Sequence, residues 1–170
     1  IKMHGCGNDY IFVDCFSQSA PADPGALART LSDRHTSVGS DGLVLMLPSD
    51  TAGADARMRM FNSDGSEGAL CGNALRCFAM WLTQTGRAAN ECRIAMHHRI
   101  VAATVVTSDA STRSAIVRVN MGTPVLSPGM NTNTYVLALT LPGIPLPSGV
   151  TQVHCVSMGN PHAVLFLPDL

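Results

Sequence analysis

The feature of this chain best suited to chemistry is a cysteine set where a polar, glycine-rich loop turns into an apolar helical stretch. The run is Phe61-Asn62-Ser63-Asp64-Gly65-Ser66-Glu67-Gly68-Ala69-Leu70-Cys71-Gly72-Asn73-Ala74-Leu75-Arg76-Cys77. The first N–H groups of a helix have no partner inside it and point outward. Together with the helix dipole they favour an anion. The same field raises the thiolate fraction of a cysteine placed there. One short stretch therefore offers a reactive sulfur beside a seat for a carboxylate, which suits an enzyme acting on an amino acid. Cys71 is the candidate base or nucleophile, against the reading of a buried structural cysteine. Asn62, Gly65, Gly72 and Asn73 favour the first, because they bring donors and close backbone approach to where a ligand would sit. Ser66 and Glu67 also fit an ordinary first-turn cap, and that reading stays open.

Two other places carry chemistry. Asn8 sits in the glycine-rich turn Gly5-Cys6-Gly7-Asn8-Asp9, either as a ligand donor or as a turn asparagine in the left-handed conformation. Gly159-Asn160-Pro161-His162 follows the apolar strand Val153 to Val156. There His162 can serve as an acid/base partner and Asn160 as a carboxylate or amine contact. The alternative is an Asn-Pro turn with a surface histidine. Met58, Met60, Met80 and Met96 read as core filler, and His97-His98-Arg99 as a strand-end turn.

The elements that must position these residues follow from pattern. Ile1 to His4 and Tyr10 to Phe16 read as strands around the first turn. Asp23-Pro24 opens a helix to about Ser32, with Asp23 as N-cap and Leu27 and Leu31 facing the core. Val38 to Gly42 is a turn before the strand Leu43 to Leu47. Ala56 to Phe61 alternates Arg57 and Arg59 with Met58 and Met60, a half-exposed strand. Gly72 to Thr85 is apolar nearly all round, a helix buried on most sides, with Gly86 as C-cap. A sheet curling around one central helix would bury it so. Strands follow at Glu91 to Met96, Ile100 to Val106 and Ser114 to Asn120. Segment 121–133 has a linker composition. A second group of strands begins near Tyr135 and ends with Gln152 to Val156 and Ala163 to Leu167. We expect a first domain over 1–120. A second, over 121–170, has only about 50 residues, thin for a core of its own, as if cut short.

The bulk numbers exclude several classes. The chain has 170 residues, 46% of them apolar and 14% charged, with a net charge of −1. No Lys/Arg block exists, so no nucleic-acid partner is expected. The apolar runs are far short of a membrane span. The N-terminus enters a strand pattern at once, which speaks against a signal peptide, and with Ile1 in place of Met we expect the natural start to lie upstream. Six cysteines (Cys6, Cys15, Cys71, Cys77, Cys92, Cys155) in so apolar a chain read as buried free thiols plus one reactive thiol, hence a reducing, cytoplasmic setting. No Cys-x-x-Cys pair exists, so no metal is expected.

Lys2-Met3-His4-Gly5-Cys6-Gly7-Asn8-Asp9-Tyr10, Ser40-Asp41-Gly42, the run from Phe61 through Cys71-Gly72-Asn73, and Gly159-Asn160-Pro161-His162 resemble, in order and spacing, the successive motifs of diaminopimelate epimerases. The resemblance covers nearly the whole chain. It implies an α+β fold, a mixed and mostly antiparallel sheet curled around a central buried helix, followed by an incomplete pseudo-symmetric second copy. It implies an epimerase that needs no cofactor, interconverting LL- and meso-diaminopimelate for lysine and peptidoglycan precursors, with a site between two domains and a homodimer as one possible assembly. By the same resemblance Cys71 is the first of two catalytic cysteines. Gly72 and Asn73 are backbone donors to the α-carboxylate. Asn8, Asn62 and Asn160 hold substrate, and His162 helps activate a thiol. Ala74 stands where many members have Gly. The family's Glu-Arg pair and second Ala-Cys-Gly helix start would fall beyond residue 170. Inverting a Cα needs a base on one face and an acid on the other, and a thiolate facing a thiol fills both roles. Lys2 is the one lysine, which argues against a pyridoxal phosphate Schiff base in this segment. The alternatives are another two-cysteine amino-acid racemase of the same fold, or a non-catalytic ligand-binding fragment.

Overall fold

The computed structural model describes residues 1–97, 99–126, 154–158 and 161–166, in two compact units, Ile1–Asn120 and Met121–Leu170. The first unit opens on a hairpin of β1 (Lys2–Gly5) and β2 (Asn8–Asp14). The two turn residues, Cys6 and Gly7, both have positive φ, 54° and 84°. That is the primed turn whose twist matches the flanking strands. The left-handed positions therefore fall on Cys6 and Gly7, and Asn8 is a strand residue paired with Gly5. This corrects the reading of Asn8 as a left-handed turn residue.

Helix α1 (Pro24–Ser32) starts as its sequence dictates. The Asp23 side chain accepts the Ala26 N–H at 2.9 Å, and Pro24 occupies the first position. The chain continues through β3 (Gly42–Pro48), β4 (Ala56–Asn62), β5 (Glu67–Gly68), α2 (Gly72–Gln84), β6 (Glu91–Ala95), β7 (Ile100–Asp109) and β8 (Ser114–Val119). The sheet order is β1-β2-β3-β4-β6-β7-β8, with β5 added to β4. Among the described residues only β2–β3 and β4–β6 pair in parallel, and each of those crossovers carries one helix. Because β4 runs opposite to β2, the right-handed crossover rule sends the two helices to opposite faces.

The packing agrees. Odd-numbered residues Ile11, Leu43, Leu45 and Phe61 form a core with Ala28, Leu27 and Leu31 of α1. The even-numbered Phe12, Val44, Met46, Met58 and Met60 are buried on the other face, toward α2. Helix α2 touches β1 and β2 at one end of the sheet and β6, β7 and β8 at the other. The sheet thus curls around it and buries Ala74, Leu75, Cys77, Phe78, Ala79, Trp81 and Leu82. Thr85 is the C-cap residue, and Gly86 follows it at φ 69°. The Gly86 N–H reaches the Thr83 carbonyl at 3.1 Å and the Arg87 N–H the Leu82 carbonyl at 2.8 Å, a Schellman ending.

Strand β5 is not legible in the sequence. Glu67 lies opposite Phe61 and pairs with Arg59 at 2.8 and 2.9 Å. Ser66 and Glu67 are therefore not the first turn of α2, which corrects that alternative. In the second unit β9 (Val125–Leu126), β10 (His154–Ser157) and β11 (Pro161–Val164) form an antiparallel sheet with β10 central. The strand start near Tyr135 lies outside the described residues.

Candidate active site

Cys71 is the N-cap of α2. Its backbone is extended, at φ −141° and ψ 112°, its carbonyl accepts the Leu75 N–H at 3.0 Å, and Sγ accepts the Ala74 N–H at 3.5 Å. Helix geometry leaves the N–H groups of Gly72 and Asn73, ahead of Ala74, without a carbonyl inside the helix. The sulfur is half-buried, and its S–H donates to Asn8 Oδ1 at 3.4 Å. Residues 63 positions apart thus meet because β2 runs beside the start of α2.

Asn8 is wired on both ends. Its Nδ2 donates to Asp41 Oδ2 at 2.6 Å, and its Oδ1 also accepts Asn73 Nδ2 at 3.1 Å. Asn73 Oδ1 in turn accepts a hydrogen bond from Arg76. Behind Asp41 stands a charged cluster. Arg34 Nη2 lies 2.6 Å from Asp9 Oδ1 and 3.0 Å from Asp41 Oδ1, and Lys2 Nζ lies 3.0 Å from Asp9 Oδ2. The Arg34 hydrogen bond, helped by Lys2 and opposed by partial burial, holds the Asp9 carboxyl well below the usual carboxylate range.

Tyr10 was missed by sequence reasoning. It follows Asn8 by two strand positions, so both side chains share one face, and it is 5% exposed. Burial pushes its phenol above the ordinary range, and the neighbouring Cys71 adds to this through charge and hydrogen bonding. The hydroxyl stays protonated beside the sulfur. Gly42 makes room for it. Tyr10 pairs with Gly42, and a Cβ at Gly42 would lie 3.0 Å from Tyr10 Cε1 and collide with the Phe61 carbonyl.

Gly42 also pairs with Asn62, so Tyr10, Gly42 and Asn62 form one row across three strands. Asn62 therefore lies on the same sheet face as Asn8, about 10 Å along the row from Tyr10 at ordinary strand spacing. Its Nδ2 donates to Ser66 Oγ at 2.9 Å, and its carbonyl accepts the Gly65 N–H at 2.9 Å. The structure thus brings Cys71, Asn8, Gly72 and Asn73 together, with Asn62 on the same face. His162 is an exposed residue of β11 in the second unit, opposite Val156. Asn160 lies outside the described residues.

The remaining thiols divide differently from expectation. Cys15, Cys77 and Cys92 are buried, and burial pushes Cys77 and Cys92 up to about 11. Cys6 is exposed in its turn, 3.7 Å from Arg76 Nη2, so Cys71 is not the one accessible thiol. A cleft of about 540 Å³ opens elsewhere, between the edge strands and α2, lined by Met3, Gly5, Arg76, Met80, Trp81 and Ser114 among others. Neither Asn8 nor Cys71 lines it. Among the described residues no group of three or more His, Cys, Asp or Glu could hold a metal ion, and no helix is long and apolar enough to cross a membrane.

The family model for diaminopimelate epimerase matches residues 1–127. The diaminopimelate epimerase of Acetivibrio thermocellus is 40% identical over 171 residues, covering 99% of this chain and 59% of that protein. That of Pelotomaculum thermopropionicum is 43% identical over 177 residues, covering 99% and 60%. The chain thus spans about three fifths of the length of the curated relatives it matches. Among solved structures, one described as a predicted epimerase from Pseudomonas aeruginosa is similar with a TM-score of 0.64 at 20% identity, over 94% of this chain and 53% of that one. A hydroxyproline epimerase from Agrobacterium vitis, with bound trans-4-hydroxy-L-proline, gives 0.60 at 16% identity, over 97% and 50%. These two likenesses bear on the fold.

Proposed function

We propose that this chain, which belongs to the diaminopimelate epimerase family, supplies one half of a two-base site that interconverts LL- and meso-diaminopimelate in the cytoplasm without a cofactor. The observation that carries this reading is the Cys71 sulfur at the start of buried α2, between Asn8 and the outward N–H groups of Gly72 and Asn73. A Cα–H beside a carboxylate is a very weak acid. An α-carboxylate seated at the helix start meets the Gly72 and Asn73 N–H groups, which stabilise the charge that grows on it as the proton leaves. Cys71 exchanges that proton with one face of Cα. Asn8, Asn62 and Asn160 hold the substrate's polar groups, and His162 supports a catalytic thiol. The second thiol comes from the part of the family's length that this chain does not span. Lys2 donates to Asp9 and to the Gly39 carbonyl, at 3.0 and 2.7 Å.

The test is LL-diaminopimelate in deuterated water. A polypeptide of family length carrying this chain forms the meso isomer with deuterium at Cα, and the 170-residue chain alone does not. Full-rate meso formation by the chain alone would overturn the one-half reading. No exchange by the longer polypeptide, or a preference for proline, would overturn the substrate.

A further inference from the structure

We propose that Asp41 is a positioning residue that fixes which end of the Asn8 amide faces Cys71. The inference deepens the reading of Cys71 as an acid/base group and rests on it. An asparagine amide can present either its oxygen or its nitrogen to a neighbour, and here the choice is forced. A carboxylate only accepts. Asp41 Oδ2 takes Asn8 Nδ2 at 2.6 Å and the Asp9 N–H at 3.0 Å. Its other oxygen is held by Arg34 Nη2 at 3.0 Å. The backbone is locked as well, since the Asp41 N–H donates to the Asp9 carbonyl at 2.8 Å and the Asp41 carbonyl accepts the Ser63 N–H at 3.1 Å. With Nδ2 so engaged, Asn8 has only Oδ1 left for Cys71, 3.4 Å away. Asn73 reinforces this, because Arg76 takes its oxygen and leaves its Nδ2 to donate to Asn8 Oδ1. The sulfur therefore meets an acceptor, and its S–H is aimed at Asn8.

Asp41→Asn keeps the shape and reverses this wiring. Arg34 retains the oxygen of the new amide and turns its NH2 toward Asn8 Nδ2 and the Asp9 N–H, donor against donors. Asn8 then keeps only the Asn73 contact to hold its orientation, and in the fraction of molecules whose amide turns, its NH2 faces the sulfur. A donor there favours the thiolate.

The experiment is site-resolved alkylation of the chain with iodoacetamide, followed by peptide mass spectrometry so that the exposed Cys6 is scored separately. With Asp41→Asn, Cys71 alkylation at neutral pH rises about fivefold, the equivalent of one net hydrogen bond. In an Asn8→Ala background the same substitution changes nothing, because Asp41 acts through Asn8. An unchanged rate in a variant whose circular dichroism is native, or an equal increase without Asn8, would overturn the assignment. If Asp41→Asn does not fold, Asp41→Ser takes its place with the same expected rise and the same refuting result. The readout needs no substrate. A failure here leaves the diaminopimelate reading standing, and a failure of epimerisation leaves the alkylation result standing.

Discussion

Replacing Cys71 by serine and by alanine separates the two jobs that its sulfur does. The first job is capping. Sγ accepts the Ala74 N–H at 3.5 Å, a long contact to a weak acceptor. A serine hydroxyl is a good N-cap and an alanine methyl is none, a difference of ~1 kcal/mol. The sulfur supplies only part of that, so Cys71→Ala should destabilise by ~0.5 kcal/mol and Cys71→Ser should be neutral or stabilise by a similar amount. The second job, under the proposed function, is proton transfer. A methyl group cannot carry the proton, and a hydroxyl ionises far less readily than a thiol, so both variants should lose about 100- to 10,000-fold in Cα exchange. The stability order is therefore Ser at or above Cys, then Ala, while the activity order is Cys far above both. Urea unfolding of the chain measures the first order, and deuterium exchange in a family-length polypeptide the second. Near-normal turnover by either variant would remove Cys71 as an acid/base group. A loss of more than ~2 kcal/mol with serine would show a sulfur held by core packing and not by the cap.

Three further outcomes follow from packing and burial. Phe78→Ala empties a fully buried position on α2; it should cost ~3–5 kcal/mol in urea unfolding, and a loss below ~1 kcal/mol would contradict a central buried helix. Gly42→Ala forces a Cβ onto the Phe61 carbonyl and against the Tyr10 ring; it should cost ~1–3 kcal/mol and change Cys71 alkylation, and a neutral result on both would refute the row Tyr10-Gly42-Asn62. Burial raises the folded Cys77 and Cys92 thiols from 9.0 to about 11. Stability that is whole below pH 9.0 is then lost as pH climbs toward 11, because the unfolded thiols ionise first. Under reductant the urea midpoint should drop between about pH 8 and about pH 10.5, and Cys77→Ala should flatten the drop; equal slopes would refute the cause.

What the sequence shows and what it hides divide by distance along the chain. Helix α2 is legible because its apolar residues run on past any single stripe, and α1 because Asp23-Pro24 is a start signal on its own. Cys71 is legible for the same local reason. Strand β5 is two residues long and too short to carry a period. The first turn misled because one of its two left-handed positions is Cys6, a residue that seldom adopts that conformation. Asp41 and Arg34 stayed hidden as site residues because they act on partners 33 and 25 positions away, Asn8 and Asp9. Tyr10 and Arg76 could have been found. Tyr10 is the next same-face residue after Asn8 in a strand, and Arg76 is three residues after Asn73 in a helix, where side chains meet.

The arrangement around the sulfur fits a group that must both give and take a proton. Among the described residues the hydrogen bonds of Asp41 and Arg76 toward this site end on the neutral amides of Asn8 and Asn73, and Arg34 stands behind Asp41. A guanidinium in direct contact would hold the thiolate and slow its return to thiol. A carboxylate in direct contact would hold the thiol. An amide layer transmits orientation without setting a full charge against the sulfur. The weak cap belongs to the same compromise. Cysteine is not a residue that helix stability selects for an N-cap. Helix α2 tolerates it because most of its stability comes from the seven side chains buried inside the curled sheet. Burial of the helix body is what leaves its first turn available for chemistry.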